Sequence, residues 1–317
     1  MTQSELVGMH LTSNQISAIL VFYNAESTIR AAIEAILTQS IAVDEIILVD
    51  DASTDMSSEV ILKLVQDFKQ IRLIRNEFNL GAAKSRNIGV DYSTGGYVVF
   101  FDSDDISSED RIRIHLDALR NADISFVSSC KDYTKDYLTV HKNTPFIGLI
   151  PYPRAVEQFV AGFKFKENFY VPACTLAVRR SSFLSIEGFD GEMSRLEDVD
   201  FALRAARAEL VFHFSDQVLV RRMSSGGNYK SGEVESKAQL AILERYRPDL
   251  DIETYQEVKS WYKIREAYFA RKRTFLARLL ISYLLKHPRA GYRYLAGIRR
   301  LLHDSRIKKT LRKEVDS

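Results

Sequence analysis

The sequence predicts an α/β fold built on a doubly wound, largely parallel sheet. Three observations point to this class. Apolar strand-like runs alternate with amphipathic helical patterns in the first third of the chain, these runs are nearly continuous as in strands buried on both faces, and acidic residues follow directly after several of them. Open α/β sheets bind ligands beyond the carboxyl ends of their strands. The acidic residues therefore mark a candidate site.

Hydrophobic periodicity locates the individual elements. A Gly95-Gly96 turn introduces the strand that ends at Asp102. Loops around a substrate groove are expected within residues 122–180. The predicted strands cover residues 16–22, 45–49, 71–74, 97–102, 124–129, 174–179 and 218–222. The predicted helices cover residues 28–37, 57–68, 81–91 and 197–208, and the chain beyond residue 230 is predicted to be helical.

The charge distribution divides the 317-residue chain into two expected domains. Residues 263–313 contain 16 Lys/Arg against two acidic residues, whereas the rest of the chain is acidic. We expect a catalytic domain over residues 1–230 and a basic helical region over residues 231–317. Cys130 and Cys174 have neither the number nor the spacing of a disulfide framework or a CxxC metal site. They are expected to be reduced thiols in the cytoplasm, since no signal peptide or membrane-spanning run is apparent.

The most informative feature is the junction after the fourth predicted strand, where an apolar run meets Asp102-Ser103-Asp104-Asp105. Asp102 and Asp104 are two residues apart, so they project to the same side of an extended chain. Neighbouring carboxylates repel each other unless a cation neutralises them. The pair therefore predicts a divalent metal ion that is bound together with a phosphate group.

Two further acidic clusters lie at the ends of predicted elements. Asp50, Asp51 and Asp55 follow the second strand, and Glu197-Asp198 begins a helix. Acidic residues at such positions also cap helices, make turns or complement the helix dipole. Each cluster alone therefore has a structural explanation, and capping is the expected role of Asp55.

Together the clusters resemble the family 2 inverting glycosyltransferases, which have the GT-A fold. The resemblance covers about residues 16–225, and the order and spacing of five short motifs make it specific. The motifs are Tyr23-Asn24-x-Glu26, Val49-Asp50-Asp51-x-Ser53-x-Asp55, Gly81-(x)4-Arg86-Asn87-x-Gly89, Phe100-x-Asp102-Ser103-Asp104-Asp105, and Gly188-Phe189-Asp190 followed by Glu197-Asp198-x-Asp200. It implies a Rossmann-like nucleotide-sugar transferase sheet with a helical C-terminal extension.

The resemblance also implies roles for individual residues. Asp198 would be the catalytic base, and Glu197 beside it would position the acceptor. Asp104 would hold Mn2+ or Mg2+, which stabilises a leaving nucleoside diphosphate. Arg86 could equally be an ion-pair partner of the acidic strand ends. The implied nucleotide-sugar contacts are Tyr23 and Asp51 at the base, Asp102 at the ribose, and Glu26, Asn79, Arg86, Asp104 and Arg222.

The chain departs from the family pattern after the last predicted strand. Arg221-Arg222-Met223-Ser224-Ser225 lies where members often have a loop with a histidine that joins the metal. Met223 is a poor ligand for a hard cation, so the third protein ligand stays unassigned. Arg222 and Ser225 are expected to contact the diphosphate instead. The six histidines have no metal-ligand spacing and are expected to be surface or satisfied core residues.

The implied function is non-processive transfer of a sugar from a UDP-sugar to a glycan or lipid-linked acceptor in polysaccharide biosynthesis. Processive synthases usually have transmembrane helices and a Gln-x-x-Arg-Trp motif, which does not precede Trp261. Two alternatives stay open. One is a phosphatase of the haloacid-dehalogenase type, whose Asp-x-Asp motif normally follows the first strand. The other is a catalytically inactive glycan- or nucleotide-binding protein of the same fold.

The basic C-terminal region predicts a contact surface. Its apolar stripes at residues 275–285 and 294–302 are flanked by basic residues, as in helices that lie on an anionic membrane surface. The same stripes could instead pack on the catalytic domain or form a homo-oligomer. We expect a cytoplasmic protein that is at most peripheral on the inner membrane face, and no nucleic acid among its partners.

Overall fold

The computed structural model describes residues 14–66, 68–131, 152, 154–160, 171–222, 232–269 and 279. The described strands are β1 Ile16–Phe22, β2 Glu45–Asp50, β3 Ile71–Arg75, β4 Tyr97–Asp102, β5 Asp105–Ser107, β6 Ile124–Lys131, β7 Leu176–Arg179 and β8 Phe212–Arg222. They form one sheet in the order β3-β2-β1-β4-β7-β6-β8-β5. The predicted α/β class is confirmed, although the sheet is mixed.

Helices cover both faces of this sheet. They are α1 Ile29–Leu37, α2 Ser57–Val65, α3 Ala82–Asp91, α4 Arg111–Leu119, α5 Arg154–Val160, α6 Arg180–Ser185, α7 Glu197–Arg207, α8 Gly232–Arg245 and α9 Ile252–Phe269. Among the described residues, none of these helices is both long and apolar enough to cross a membrane.

Four neighbouring strands, β3, β2, β1 and β4, are parallel. Their carboxyl ends therefore meet at one edge, where Asp50 is level with Phe22 and Asp102 is level with Val21. Beyond β4 the sheet continues through β7, which is antiparallel to β4. The short strand β5 pairs with β8 and brings Asp105 opposite Arg222. The carboxyl edge of the parallel strands is thus closed by an antiparallel segment.

Strand β8 is longer than the sequence indicated, because it begins at Phe212 rather than at residue 218. Its first half includes exposed polar residues and pairs with β6. The chain there lacks the continuous apolar run of a strand buried on both faces. Strand β5 was missed for a related reason, since three residues are too few to show any periodicity.

Alternate residues of the strands divide the interior into two cores. Ile19, Ile47 and Phe100 belong to one, and Ala18 and Leu20 belong to the other. Helix α3 packs very closely on the first face, because a Cβ atom at Gly89 would lie 2.4 Å from Cγ2 of Ile19. This close approach explains the last glycine of the Gly81-(x)4-Arg86-Asn87-x-Gly89 motif.

The C-terminal helices contribute to the first core. Ile242 of α8, Tyr246 directly after it, and Val258 and Trp261 of α9 belong to the same buried cluster as the strand residues. The described part of the predicted C-terminal region therefore packs on the sheet. Leu279 also packs against this cluster, while the other residues of the two predicted apolar stripes lie outside the described part of the chain.

Candidate functional site

Hydrogen bonds tie the loops after β1 and β2 together. The amide of Asn24, at a φ of 51°, donates to Ser53 Oγ at 3.0 Å. Glu26 accepts from the amide of Met56 at 3.1 Å and donates its own amide to Asp55 at 3.1 Å. Glu26 thus fixes the loop pair from within.

The Asp50 and Asp55 carboxylates have structural roles. Asp50 is fully buried and accepts hydrogen bonds from the Ser53 amide at 2.7 Å and the Ser58 hydroxyl at 2.6 Å. Asp55 accepts from the amide of Ser57, the first residue of α2, at 3.0 Å. Asp55 therefore binds the first amide of α2 from the position before the N-cap residue, Met56.

Asp51 holds the loop after β3. Its Oδ1 atom accepts from Asn76 Nδ2 at 2.9 Å and from the Leu80 amide at 2.8 Å, and its Oδ2 atom accepts from the Gly81 amide at 2.9 Å. A carboxylate has about four acceptor positions, so one remains for a ligand. Tyr23, which is 48% exposed, lies at the end of the neighbouring strand β1. Contacts of both residues with a nucleotide base stay predictions.

Arg86 of α3 is the charged centre of the site. This buried guanidinium donates from Nη2 to Asp102 at 2.8 Å and from Nη1 to Glu197 at 3.0 Å, and its Nε atom has no hydrogen-bond partner. Burial opposes its charge, but the two carboxylates prevail and raise its pKa. Arg86 is thus an ion-pair partner of the strand end, as the sequence allowed. It also joins the end of β4 to the start of α7.

Asn87, the next residue of the motif, fixes the chain segment before α7. Its side-chain amide donates to the Phe189 carbonyl at 2.7 Å, and its Oδ1 atom accepts from the Phe189 amide at 3.0 Å. Gly188 has a φ of +62°, and a Cβ atom there would lie 2.8 Å from Asn87 Oδ1. The Arg-Asn pair of the motif therefore orients two separate parts of the site.

Asp198 lies in the first turn of α7, after Leu196 with a left-handed φ of 64°. Its Oδ1 atom accepts from the Val199 amide at 2.8 Å. Burial first, and then the charge of Glu197, raise the pKa of Asp198 to about 7, although Arg86 opposes this shift. A carboxylate with such a pKa can accept a proton near neutral pH.

These elements enclose a pocket of about 520 Å³ at the carboxyl edge of the parallel strands. Sequence-predicted residues that line it are Asn79, Arg86, Asp102, Glu197, Asp198 and Arg222. Tyr23, Glu26, Asp51 and Asp104 are not among its lining residues. The structure thus brings the predicted catalytic base, Asp198, and the predicted ribose contact, Asp102, to one cavity. Tyr23 and Asp51, the residues expected to contact the nucleotide base, are not part of its lining.

The acidic residues at the end of β4 include one that the sequence did not single out. Ligand atoms of Asp102, Asp105 and Cys174 lie within 4.8 Å of one another. Asp105 is buried, and its Oδ2 atom has no hydrogen-bond partner. Asp104, the predicted metal ligand, is not a member of this group. The pairing of β5 with β8 places Asp105 opposite Arg222, and no local pattern signals that pairing.

Carboxylates at this position fit a hard divalent cation, which prefers oxygen ligands. The Cys174 thiol does not, since burial raises its pKa and sulfur is a soft donor. Residues Met223 and Ser225 of the departing motif lie outside the described residues. His115, by contrast, is a satisfied core residue as expected, with its Nδ1 atom 2.9 Å from the Ser125 hydroxyl.

Comparison with known sequences identifies relatives. An uncharacterized glycosyltransferase of Haemophilus influenzae is 40% identical over 101 residues, which are 32% of this chain and 40% of that protein. The Escherichia coli protein WfgD, named a UDP-Glc:alpha-D-GlcNAc-diphosphoundecaprenol beta-1,3-glucosyltransferase, is 35% identical over 35% of this chain and 44% of its own length. The chain therefore spans less than half the length of these two relatives. AmsB, an amylovoran biosynthesis glycosyltransferase of Erwinia amylovora, is 26% identical over 77% of this chain and 82% of its own length.

Comparison with solved structures shows the fold. Staphylococcus aureus TarS in complex with UDP-GlcNAc has a TM-score of 0.58 at 19% identity, over 87% of this chain and 78% of that one. The mannosyltransferase PcManGT of Pyrobaculum calidifontis, in complex with GDP-Man and Mn2+, has a TM-score of 0.58 at 16% identity, over 94% and 83% of the two chains. These similarities confirm the predicted GT-A fold. Residues 17–186, more than half of the chain, match the family model, and the chain therefore belongs to glycosyl transferase family 2.

Proposed function

We propose that the protein transfers a sugar, with inversion, from a UDP-sugar to a hydroxyl group of a glycan or lipid-linked acceptor. The observation that carries this proposal is the position of Asp198. It lines the same pocket as Asp102, and burial beside Glu197 raises its pKa to about 7. A carboxylate so placed is suited to deprotonate an attacking hydroxyl.

The donor would lie along the carboxyl ends of β1, β2 and β4. Tyr23 offers an exposed ring that can stack on a nucleotide base, and Asp51 fixes the loop that bears Asn79 at the pocket. Asp102 is held by Arg86 and faces the pocket, where it could accept from a ribose hydroxyl. The donor subsite would therefore be largely formed before the donor binds, which reduces the cost of ordering on binding.

Asp198 would take the proton of the acceptor hydroxyl as its oxygen attacks the anomeric carbon from the face opposite the leaving group. This geometry inverts the anomeric configuration. The ion pair with Arg86 fixes the position of Glu197. From this position its carboxylate would orient the acceptor. Arg222 lines the pocket and would contact the diphosphate.

A divalent ion, Mn2+ or Mg2+, would be held by Asp104 beside Asp102 at the end of β4. A cation near Asp104 is supported by its sequence neighbours Asp102 and Asp105, whose carboxylate oxygens are grouped here, and Asp105 Oδ2 is buried without a hydrogen bond. Such an ion would stabilise the negative charge that develops on the leaving diphosphate. The Mn2+ bound to the similarly folded PcManGT is consistent with this proposal.

The comparisons favour uridine as the donor base. TarS binds UDP-GlcNAc and WfgD is named for a UDP-Glc donor and a diphosphoundecaprenol-linked acceptor, whereas PcManGT binds GDP-Man. The phosphatase alternative has no support, because Asp102 follows the fourth strand and is paired with Arg86 rather than available as a nucleophile. A catalytically inactive binding protein would not need a carboxylate with the raised pKa of Asp198.

The decisive test is turnover of a panel of UDP-Glc, UDP-GlcNAc and GDP-Man, with and without Mn2+. Release of the nucleoside diphosphate and the anomeric configuration of the new bond, followed by NMR, are the readouts. We expect a UDP-sugar to react in the presence of Mn2+ and to give the inverted product. A retained configuration would refute the mechanism, and tight binding of UDP without turnover of any donor would support the binding-protein alternative.

A further inference from the structure

Residues 190–196, here called the wall loop, contribute a continuous part of the pocket lining. Gly191, Glu192, Met193, Ser194, Arg195 and Leu196 all line the pocket. The loop leads directly into Glu197 and Asp198. Its position therefore sets the space that is open to a group approaching Asp198.

Helix α3 holds the two flanks of the wall loop. Asn87 makes its pair of hydrogen bonds to Phe189 just before the loop, and Arg86 pairs with Glu197 just after it. Lys84 forms an ion pair with Glu192 at 2.7 Å, but Glu192 is largely exposed. Exposed ion pairs contribute little, so Lys84 is a weak restraint on the middle of the loop.

Helix α8 supplies a stronger restraint from the other direction. Arg245 donates from Nη1 to Asp200 of α7 at 2.7 Å and from Nη2 to Asp190 at the start of the wall loop. The planar guanidinium suits such a double contact. Asp190 in turn accepts the Glu192 amide at 2.8 Å, which fixes the first turn of the loop.

The partner of Arg245 within α7 is anchored in the core. Asp200 is fully buried and also accepts from Arg204 Nε at 2.8 Å and from the Tyr246 hydroxyl at 3.2 Å. Tyr246 belongs to the core cluster that α8 shares with the sheet. Arg245 thus connects a buried point of α7 with the start of the wall loop that precedes α7 in sequence.

We propose that Arg245 is a positioning residue for the acceptor, and that α8 thereby forms part of the acceptor specificity of this chain. Arg245 is absent from the pocket lining, so it acts through Asp190 and the wall loop. The proposed donor contacts after β1–β4 lie on other elements than Asp190 and Asp200, the two acids that Arg245 binds. The acceptor role of Arg245 rests on the proposed function, whereas its restraint of the wall loop is independent of that function.

The test compares Arg245→Gln and Arg245→Lys with the control Arg247→Gln in the full chain. Arg247 lies two residues away and packs over the Tyr255 ring, 5.0 Å from its centroid, outside the site. Transfer is measured to the best of a panel of p-nitrophenyl glycosides, with UDP affinity by calorimetry. Hydrogen exchange of each peptide is followed by mass spectrometry.

For Arg245→Gln we expect the acceptor KM to rise by about 10- to 100-fold, the range for a misplaced group near the reaction centre. UDP affinity and acceptor-independent donor hydrolysis should stay within about twofold of the wild type, since these are donor-side properties. Exchange should increase at residues 189–198 and not at residues 76–83. Arg245→Lys should recover part of the effect, and Arg247→Gln should show none of it.

Other results would overturn the proposal. An unchanged acceptor KM, an equal loss of UDP affinity, or an even rise of exchange across the chain would reduce Arg245 to a stability element. If the wild type neither binds UDP nor consumes any donor, the proposed function fails. The exchange comparison then decides by itself whether Arg245 holds the wall loop.

Discussion

The two sides of the pocket are built differently. On the donor side, the loops after β1, β2 and β3 are cross-linked by hydrogen bonds that converge on Asp51 and Glu26. On the acceptor side, Asp198 has a raised pKa, follows a left-handed residue and belongs to a segment held by the distant Arg86 and Arg245. The side proposed to bind the donor is cross-linked by hydrogen bonds, whereas the side proposed to bind the acceptor has a buried carboxylate with a raised pKa. In the proposed function, donor binding and proton transfer therefore depend on different elements.

Loss of the metal ligand should have the largest effect on the donor side. Asp104→Ala is expected to lower transfer by about 10²-fold or more, because a bound ion contributes several kcal/mol to charge stabilisation. Calorimetry of UDP with and without Mn2+ should show that the variant loses the contribution of Mn2+. Equal UDP affinity of wild type and variant in Mn2+ would refute the assignment, and Asp105→Asn would be the next variant to examine.

Arg86 connects the two sides, so its removal should affect both. Arg86→Met leaves Asp102 and Glu197 without their shared partner, and breaking such a buried pair costs about 3–5 kcal/mol of unfolding free energy. Urea unfolding measures this loss. Arg113→Met, which breaks an exposed ion pair with Asp110, is the matched control and should leave the unfolding midpoint unchanged. A similar midpoint for all three proteins would show that Arg86 is not a structural link.

Alanine substitutions at two glycines test how tightly the chain is packed at Gly89 and at Gly191. At Gly89 a Cβ atom would lie 2.4 Å from the core residue Ile19, and such overpacking costs about 1–3 kcal/mol. At Gly191 it would meet only the flexible side chain of Lys84, at 2.5 Å. Thermal unfolding should therefore show a clear loss of stability for Gly89→Ala and almost none for Gly191→Ala. The reverse order would contradict the close packing of α3 on the sheet at Gly89 and the looser packing around Gly191.

The pH dependence should report the charge stored on the acceptor side. Asp198 acts as a base only when ionised, so kcat/KM should fall as the pH decreases through about 7. Glu197→Gln removes a charge that raises this pKa, so the acid limb should move to lower pH. Because the pKa of Asp198 is raised from 3.8 to about 7 on folding, the free energy of unfolding falls as the pH rises from about 4 to about 7, and this loss is complete above pH 7. Asp198→Asn should therefore unfold at a higher temperature than wild type at pH 8, but not at pH 3.

Substitutions in the basic C-terminal region are expected to have the smallest effect on sugar transfer. Arg271→Glu, Lys272→Glu and Arg273→Glu together should weaken binding to vesicles of anionic lipid, at about 1 kcal/mol for each basic residue near the surface. Transfer to soluble acceptors should not change. Co-sedimentation at low and high salt measures the binding. If wild type and variant partition equally, the tail has a packing or oligomerisation role, in line with the contact of Leu279 with the core.

The donor side could be predicted from the sequence because its residues follow buried strands directly. A continuous apolar run that ends in acidic residues places those residues at the carboxyl edge of the sheet, as Asp50 and Asp102 show. The helix that bears Arg86 follows β3 by a short loop, so its motif could be located too. The predicted and observed positions agree for residues that lie close in sequence to the strand that places them.

The remaining features depend on contacts between distant segments. Arg245 meets Asp190 across 55 residues, and no periodicity in α8 distinguishes it from a surface arginine. Asp105 is buried by pairing with a strand more than a hundred residues away. The hydrogen bonds from the Leu80 and Gly81 amides to Asp51 could not be predicted either, since they follow from the path of the loop rather than from residue types. Such contacts between distant segments decide which acidic side chains can still bind a ligand.

The central claim is that Asp198 is the base of a site whose donor platform is formed without it. The most direct measurement compares Asp198→Asn with wild type in two assays at pH 8, UDP binding in Mn2+ by calorimetry and sugar transfer at saturating donor. The account predicts UDP affinity within about twofold of wild type and transfer lower by roughly 10²-fold or more, the range for removal of a general base. Transfer at the wild-type rate, or a parallel loss of UDP affinity, would contradict it.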